Sequence, residues 1–282
     1  HRAAAGPSRV VEGHVDALHE LGAGVVCIDT SEEGEPVDAG ADLLLTRANV
    51  GWDFASWLAG IDEVRDVLDS TVELVLVNDS TYGPLVALDD VFASPYVQDA
   101  DAWGVTDSWD IRYHLQTYFV VLRQAALRST ALWNFFETYP FPRSKADIVA
   151  AGEVGLTSAL RAGGLTVAAA HPYDVVARQW LASVARTADT LRASGLSASV
   201  DRLLQLAAAV RDRHPVNPTH VFWNTLLERA APFLKRDLVL FNRHEMPTLS
   251  LLADALVPFK LFDPTVIADD ARAVGGTLVP PG

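Results

Sequence analysis

The chain has 282 residues, half of them hydrophobic and 21% charged, so it is long enough to bury a full core and is not a disordered sequence. Its 22 basic and 36 acidic residues give a net charge of −14, which argues against a nucleic-acid-binding protein and against recruitment to anionic lipid by a polybasic segment. With one cysteine, no apolar run of membrane-spanning length and no signal-peptide core, the sequence predicts a cytosolic protein or a soluble domain of a larger one.

The first part of the chain alternates short apolar runs with helical patterns, which is typical of a mostly parallel α/β sheet with flanking helices. Helical spacing of apolar residues occurs over residues 10–21, 54–68, 85–92, 124–137 and 146–162. Strands are predicted over residues 23–29, 43–46, 72–77, 102–106, 114–122 and 165–169.

From residue 174 onward the pattern changes to Ala- and Leu-rich helical stretches with no strand pattern between them. These stretches cover residues 175–193, 199–211, 218–230 and 249–255. Two domains are therefore predicted, an α/β domain over residues 1–173 and an all-helical C-terminal domain over residues 174–282.

The apolar run over residues 72–77 is typical of a strand buried on both faces of a parallel sheet, and it stops at Asn78, Asp79 and Ser80. Ligands of open α/β sheets bind at the carboxyl ends of the strands, where a carboxylate can hold a divalent cation against a diphosphate. Asp79 is therefore the first candidate for a metal ligand. Because Asn, Asp and Ser are also ordinary turn formers, a plain turn is the alternative.

Two other segments carry polar residues of the kind that a nucleotide-sugar transferase needs. Arg47, Asn49 and Asp53 lie at a strand-to-helix junction, and Glu153 lies early in a helix. Such an enzyme uses polar groups for base and ribose, and a carboxylate base for the acceptor hydroxyl. The structural alternative for Arg47 and Asp53 is an ion pair with each other at the surface. The structural alternative for Glu153 is a position in the first turn of its helix, where the helix dipole favours a carboxylate.

Several segments together resemble the rhamnan synthesis protein F family, whose members are rhamnosyltransferase-like enzymes of bacterial surface polysaccharide assembly. They are Arg-x-Asn-x-Gly-Trp-Asp-Phe (47–54), Leu-Val-Leu-Val-Asn-Asp-Ser-x-Tyr-Gly-Pro (74–84), Trp-Gly-Val-Thr (103–106), His-Leu-Gln-x-Tyr-Phe (114–119), Glu-Val-Gly-Leu-Thr (153–157), Asn-Pro-Thr-His (217–220) and Pro-Phe-Leu-Lys (232–235). The order of the motifs also resembles inverting GT-A-fold glycosyltransferases. The resemblance covers residues 42–242 and implies a GT-A-like fold.

The resemblance also implies roles for the candidate residues. Asp79, with Asn78 and Ser80 beside it, is expected to hold a divalent cation, Mg²⁺ or Mn²⁺, together with the donor diphosphate. Glu153 is expected to be the catalytic base that deprotonates the acceptor.

The other candidates are assigned to the two sides of the substrate site. Arg47, Asn49 and Asp53 are expected on the donor-nucleotide side. His114, Gln116 and Trp103 are expected near the acceptor or the diphosphate, although His114 and Trp103 also suit a protein core.

The function expected from the resemblance is transfer of a sugar, rhamnose, from a nucleoside-diphosphate donor to a growing surface glycan. The expected partners are that donor and a glycan or lipid-linked oligosaccharide acceptor, with no nucleic acid. The expected location is the cytoplasm or the inner face of the cell membrane, in peripheral contact with the membrane or with other transferase domains.

The alternative function is a non-catalytic, degenerate transferase-fold module that binds glycan or a partner enzyme. The single acid of the motif at Asp79 and the lack of an evident first strand before Val10 both favour it. A metal-dependent phosphoesterase that uses Asp79 has no second ligand cluster to support it.

Overall fold

The computed structural model describes residues 9–31, 39–142 and 144–273, without the side chain of residue 145. Its strands are β1 (Val26–Asp29), β2 (Leu43–Thr46), β3 (Glu73–Val77), β4 (Thr81–Tyr82), β5 (Ala102–Ser108), β6 (His114–Leu115), β7 (Phe119–Arg123), β8 (Val167–His171) and β9 (Leu234–Lys235). No helix in this part of the chain combines the length and apolar character that crossing a membrane requires.

The helices surround these strands in the first part of the chain and dominate the second part. They are α1 (Arg9–Glu20), α2 (Trp52–Glu63), α3 (Arg65–Leu68), α4 (Leu88–Phe92), α5 (Gln124–Leu127), α6 (Thr130–Glu137), α7 (Lys145–Ile148), α8 (Val154–Ala162), α9 (Tyr173–Ala193), α10 (Ser197–Arg211), α11 (Pro218–Val221), α12 (Trp223–Glu228), α13 (Arg236–Phe241), α14 (Leu252–Leu256) and α15 (Thr265–Ala273). A π-helical turn (Val149–Glu153) joins α7 to α8, and a 3-10 helix (Pro247–Leu251) precedes α14.

The main sheet is mixed, so the prediction of a mostly parallel sheet is wrong. Its strand order is β3-β7-β5-β6, and β8 pairs with β5. β7 runs antiparallel to β3 and β5, β6 runs antiparallel to β5, and β8 runs parallel to β5. The link from β5 to β6 is too short for the crossover that parallel strands require, so the chain turns back on itself. A separate two-stranded parallel sheet contains β1 and β2.

The strand that precedes Asp79 does not lie where its composition predicts. β3 stands at one end of the strand order and is antiparallel to β7, and only Leu76 of its five residues is buried. The buried centre of the sheet is formed by β5 and β7. An apolar run therefore identified a strand correctly but not its position in the sheet.

Two predicted elements are interrupted, and both interruptions lie close to Glu153. The strand predicted over residues 114–122 is two short strands, β6 and β7, separated by residues 116–118. The helix predicted over residues 146–162 contains the π-helical turn that ends at Glu153. A side chain at Gly152 would collide with the ring of Phe54, so glycine permits the close contact between this turn and α2.

The C-terminal region is helical except for β9, which the sequence does not predict. β9 pairs antiparallel with β4, with Thr81 opposite Lys235 and Tyr82 opposite Leu234. One hydrophobic core contains residues of α9 to α15 together with Val10, Tyr82 and Leu85. The C-terminal helices thus pack against the first part of the chain, and the domain boundary at residue 173 stays a prediction.

Candidate functional site

The turn after β3 is tied to the first turn of α2. The side-chain amide of Asn78 donates to Asp53 Oδ2 over 2.8 Å. Asn78 Oδ1 accepts hydrogen bonds from the backbone N–H and the hydroxyl of Ser80. The structure therefore brings together Asp53, Asn78 and Ser80, three of the residues expected on the donor side.

α2 begins where the chain can turn sharply, and this places Asp53 beside β3. Gly51 has a φ of 79°, in the left-handed region that favours glycine. A Cβ at Gly51 would also collide with Phe141 and Ala55. Asp53 follows in the first helical turn, where the helix dipole favours a carboxylate.

Arg47 stabilises the loop that precedes α2. Its guanidinium donates to Ser56 Oγ over 3.0 Å and to the carbonyl of Val50 over 2.7 Å. The hydrogen bonds of Arg47 therefore go to its own loop and to α2, whereas Asp53 bonds to Asn78. Asn49 is exposed in the same loop.

Asp79 takes part in an ion-pair network that crosses to the C-terminal helices. Its side chain is 55% exposed, and its Oδ2 lies 3.0 Å from Arg236 Nη1. The same nitrogen donates to the carbonyl of Asp79 over 2.6 Å. Arg236 Nε and Nη2 donate to the two carboxylate oxygens of Asp270, whose side chain is only 4% exposed. One guanidinium thus bridges an exposed and a buried carboxylate.

Lys235 contacts the same turn through Ser80. Its Nζ donates to Ser80 Oγ over 2.8 Å and lies 5.1 Å from the centre of the Tyr118 ring. The pairing of β4 with β9 brings it there, and the N–H of Arg236 extends the pairing to the carbonyl of Ser80 over 3.0 Å. Strand pairing therefore delivers two cations, Lys235 and Arg236, to the turn at residues 78–80.

Glu153 is oriented by the break between β6 and β7. Its side chain is partly buried, and its Oε2 accepts from the backbone N–H of Thr117 over 3.4 Å. The Nε2 of the buried His114 lies 3.9 Å from the same oxygen. The Nδ1 of His114 lies 2.7 Å from the carbonyl of Arg112, which can only accept, so Nδ1 carries a proton.

Gln116 and Trp103 are placed inside the protein. Gln116 is buried, accepts from the hydroxyl of Thr106 over 2.8 Å and donates to Asn217 Oδ1 over 3.3 Å. Trp103 is 0% exposed and packs edge-on against Phe92. The structure does not bring Trp103 to the residues around Asp53, and Gln116 links β5 to the start of α11.

The pKa of the Asp53 carboxyl is set by burial and by the charged groups near it. Burial is the largest cause that raises the pKa of the Asp53 carboxyl, to about 6, and the negative charge of Asp79 adds to it. The hydrogen bond from Asn78 and the positive charge of Lys235 lower this pKa. The charge of Glu153 raises it further, so all these groups lie within electrostatic reach of Asp53. We call Asp53, Asp79 and Glu153 the carboxylate cluster.

The residues at Asp79 offer an incomplete set of metal ligands. In the part of the chain that the structure describes, no three His, Cys, Asp or Glu side chains converge as they would around a metal ion. Asp79 supplies one carboxylate that is already paired with Arg236, and Asn78 Oδ1 already accepts two hydrogen bonds. Mg²⁺ can be held by one or two carboxylates and substrate phosphates, so a cation here would depend on the donor. Its presence stays a prediction.

Sequence reasoning missed Lys235, Arg236 and the backbone of Thr117. The segment Pro-Phe-Leu-Lys (232–235) resembles the family, but the bond from Lys235 to Ser80 joins residues 155 positions apart. No local pattern signals such a pairing. The position of Thr117 depends on a strand break inside a continuous apolar and aromatic run, which also leaves no local signal.

Comparison with known proteins supports the resemblance seen in the motifs. Two relatives from Vibrio anguillarum, one of them from strain ATCC 68554 / 775, are both described as Virulence protein VirA. Each is 27% identical over 212 residues, which cover 74% of this chain and 66% of the relative. The chain thus spans about two thirds of the length of these relatives. No solved structure matches the chain significantly.

The family comparison covers the part of the chain that holds the site. Residues 29–175, more than half of the chain, match the family described as rhamnan synthesis protein F. The matched range contains Asp53, Asp79 and Glu153, whereas Lys235 and Arg236 lie beyond it. The chain belongs to the rhamnan synthesis protein F family.

Proposed function

We propose that this protein is a glycosyltransferase with a GT-A-like fold that moves a sugar, rhamnose, from a nucleoside-diphosphate donor to a bacterial cell-surface polysaccharide. Rhamnan is a polysaccharide, and its synthesis requires glycosyl transfer. The observation that carries the proposal is the hydrogen bond that joins Asp53 to the turn at residues 78–80, with Glu153 near enough for its charge to raise the pKa of Asp53. These groups come from three separate segments of the family match.

In the proposed reaction Glu153 is the base. Its carboxylate takes the proton of the acceptor hydroxyl, and the oxygen attacks the anomeric carbon from the face opposite the diphosphate. The new glycosidic bond forms as the bond to the diphosphate breaks, so the diphosphate leaves with the electron pair and the configuration inverts. The N–H of Thr117 supports this role because it fixes one oxygen of Glu153, and His114 faces the same oxygen.

On the donor side, we assign the nucleoside to Asp53, Arg47 and Asn49, and the diphosphate to the turn at residues 78–80. Asn78 holds Asp53 and the turn together, which would keep the nucleoside and diphosphate subsites at a fixed separation. A cation at Asp79, Mg²⁺ or Mn²⁺, would offset charge on the leaving diphosphate. The acceptor would be a glycan or lipid-linked oligosaccharide, met at the cytoplasmic face of the membrane.

Glu153→Gln tests the assignment of the base. We expect kcat to fall by about 10²–10⁴-fold, because the amide cannot accept the proton in the transition state. Donor affinity should be nearly unchanged, since glutamine keeps an oxygen for the N–H of Thr117. Release of nucleoside diphosphate from a nucleotide sugar measures turnover, and calorimetry measures binding. Glu137→Gln, at an exposed position that ends α6, is the control. Wild-type turnover in Glu153→Gln would show that Glu153 is not the base.

One observation favours a second candidate, a non-catalytic module that binds glycan or a partner enzyme. Asp79, the single acid of its motif, is paired with Arg236, as in a structural ion pair. Such a module would not need affinity for a nucleoside diphosphate. Measurable affinity for one nucleoside diphosphate therefore separates the transferase from the module.

A further inference from the structure

We propose that Trp109 is a platform on which a sugar residue of the acceptor stacks, so that the protein recognises an oligosaccharide chain and not only the hydroxyl that reacts. This inference rests on the proposed glycosyl transfer and deepens it, because it names the kind of acceptor and a residue that binds it. Trp109 lies in the loop that joins β5 to β6, residues 109–113, which we call the β5–β6 loop.

The β5–β6 loop exposes large apolar side chains. Trp109 is 47% exposed and Ile111 is 58% exposed. Single exposed apolar residues are common on protein surfaces, but neighbouring ones are typical of binding surfaces. The ring of Trp109 packs at a tilt against the ring of Tyr113, with 5.1 Å between the ring centres. This contact supports the indole while nearly half of the residue stays open to solvent.

Hydrogen bonds give the loop a defined shape. The backbone N–H of Asp110 donates to Ser108 Oγ over 3.2 Å, and His114 Nδ1 donates to the carbonyl of Arg112 over 2.7 Å. Where the loop begins and ends, Ser108 pairs with His114 in the antiparallel ladder of β5 and β6. The loop therefore holds Trp109 near one position, which limits the entropy that is lost when a ligand binds.

One side of α8 connects the loop to Glu153. Glu153, Thr157 and Arg161 follow one another at intervals of four residues, so their side chains lie on the same side of the helix. Glu153 Oε2 lies 3.9 Å from His114 Nε2, and Thr157 Oγ1 accepts from the next backbone N–H along the chain over 3.0 Å. The guanidinium of Arg161 lies 5.1 Å from the centre of the Tyr113 ring.

This arrangement sets the length of acceptor that the platform can bind. Eight residues of helix separate Glu153 from Arg161, which corresponds to about 12 Å along the helix axis. Trp109 packs on Tyr113 at the Arg161 end of this path. A single sugar residue with its hydroxyl at Glu153 is too short to reach Trp109, whereas a chain of several sugar residues spans the distance.

The chemistry of the loop suits a glycan better than a lipid surface. A sugar ring has C–H groups on its faces, which stack on a flat aromatic ring, and hydroxyls at its edge, which bond to polar side chains. Asp110 and Arg112 are exposed beside Trp109 and offer a carboxylate and a guanidinium to such hydroxyls. Insertion into a bilayer would instead desolvate the carboxylate of Asp110, and the net charge of −14 opposes an anionic membrane.

The test measures turnover with a rhamnose hexasaccharide and with methyl rhamnoside as acceptors, at saturating nucleotide sugar. Trp109→Ala should raise the KM for the hexasaccharide about tenfold and leave kcat nearly unchanged, because the ring binds the chain away from the reacting atoms. The kcat/KM for methyl rhamnoside should stay close to the wild-type value. NMR titration gives the Kd of the hexasaccharide independently of turnover, and this Kd should rise by a similar factor.

Three further variants separate stacking from general effects on the fold. Trp109→Tyr keeps a flat aromatic face and should retain most of the affinity for the hexasaccharide. Trp109→Leu keeps an apolar side chain without that face, so it should behave like Trp109→Ala and gives the same answer if that variant does not fold. Tyr96→Ala removes an exposed aromatic residue that precedes the other end of β5, and it should leave every constant unchanged.

The possible results point in different directions. A Kd and a KM for the hexasaccharide equal to those of the wild type in both Trp109→Ala and Trp109→Leu would overturn the role of Trp109 and leave glycosyl transfer standing. Failure of the wild type to bind the hexasaccharide would also overturn it, and binding to phosphatidylcholine vesicles that depends on Trp109 would then assign the loop to a lipid surface. A folded wild type that binds neither the hexasaccharide nor any nucleoside diphosphate would contradict glycosyl transfer itself.

Discussion

The fold raises the pKa of the carboxyl of Asp53, a residue of the candidate site. Burial and the charge of Asp79 raise its pKa from 3.8 to about 6. The folded protein therefore holds this proton up to a higher pH than the unfolded chain does. The resulting stabilisation is complete below about pH 3.8 and is lost as the pH rises through about 6. Burial raises the pKa of Asp107 to about 6 as well, so it contributes in the same direction.

Asp53→Asn should remove the contribution of this one carboxyl to the pH dependence of the free energy of unfolding. Asparagine keeps an oxygen for the Asn78 amide and carries no charge, so the variant should gain stability over the wild type as the pH rises from about 4 to about 7. The gain should reach at most about 3 kcal/mol, from a shift of about two pKa units. Urea unfolding across this range measures it.

The matched control is Asp99→Asn, which alters an exposed carboxylate. Its stability difference from the wild type should vary little with pH. A difference between Asp53→Asn and the wild type that stays constant from about pH 4 to 7 would show that Asp53 ionises normally in the folded protein.

Among the elements, β9 and α15 both help to hold the turn after β3. β9 pairs with β4, and Arg236, directly after β9, bonds to Asp79 in the turn and to Asp270 in α15. Tyr82 of β4 also donates its hydroxyl to Asp270 over 2.8 Å. Two segments that are far apart in the sequence are thereby fixed to a buried carboxylate of a third.

Arg236→Met should be strongly destabilising because it leaves Asp270 buried without its cation. Loss of one partner of a buried pair costs about 3–5 kcal/mol, which urea unfolding would show as a lower midpoint. The double variant Arg236→Met with Asp270→Leu should recover much of this loss. Arg272→Met, which removes an exposed partner of Asp269, should cost less than about 1 kcal/mol. Equal effects of Arg236→Met and Arg272→Met would contradict a structural role for the buried pair.

The sequence predicts the elements of this fold better than their connections. Strands at residues 43–46, 102–106 and 165–169 appear close to where apolar runs predict them, because burial selects such runs. Strand direction and the position of β3 at one end of the sheet depend on partners far along the chain. The π-helical turn before α8 depends on a contact between Gly152 and Phe54, which no local periodicity encodes.

The candidate site shows the same difference between features that a local motif can identify and features that depend on distant partners. Asp53 and Asn78 are adjacent in space, and both come from motifs that a family resemblance can identify. Lys235 is brought in by strand pairing across most of the chain, so sequence reasoning could not assign it. Trp103 was expected near the acceptor or diphosphate, but its position in the core depends on how β5 packs against Phe92.

At the scale of the whole molecule, the site lies where the mixed sheet meets the C-terminal helices. One hydrophobic core joins Val10, Tyr82 and Leu85 to α9–α15, and a second lies between the sheet and the helices α2, α5, α6 and α8. The carboxylate cluster is contributed by the sheet side, and Lys235 and Arg236 by the C-terminal side. Donor binding should therefore require both parts of the chain.

The most direct test of glycosyl transfer is a calorimetric titration of the protein with UDP, GDP and dTDP, each in EDTA and in Mn²⁺. We expect one of the three to bind and to be displaced by the corresponding nucleotide sugar, because Asp53 and the turn at residues 78–80 are held together as the donor side of the proposed site. If none of the three binds to the folded protein in either condition, glycosyl transfer is contradicted and the non-catalytic module becomes the better explanation.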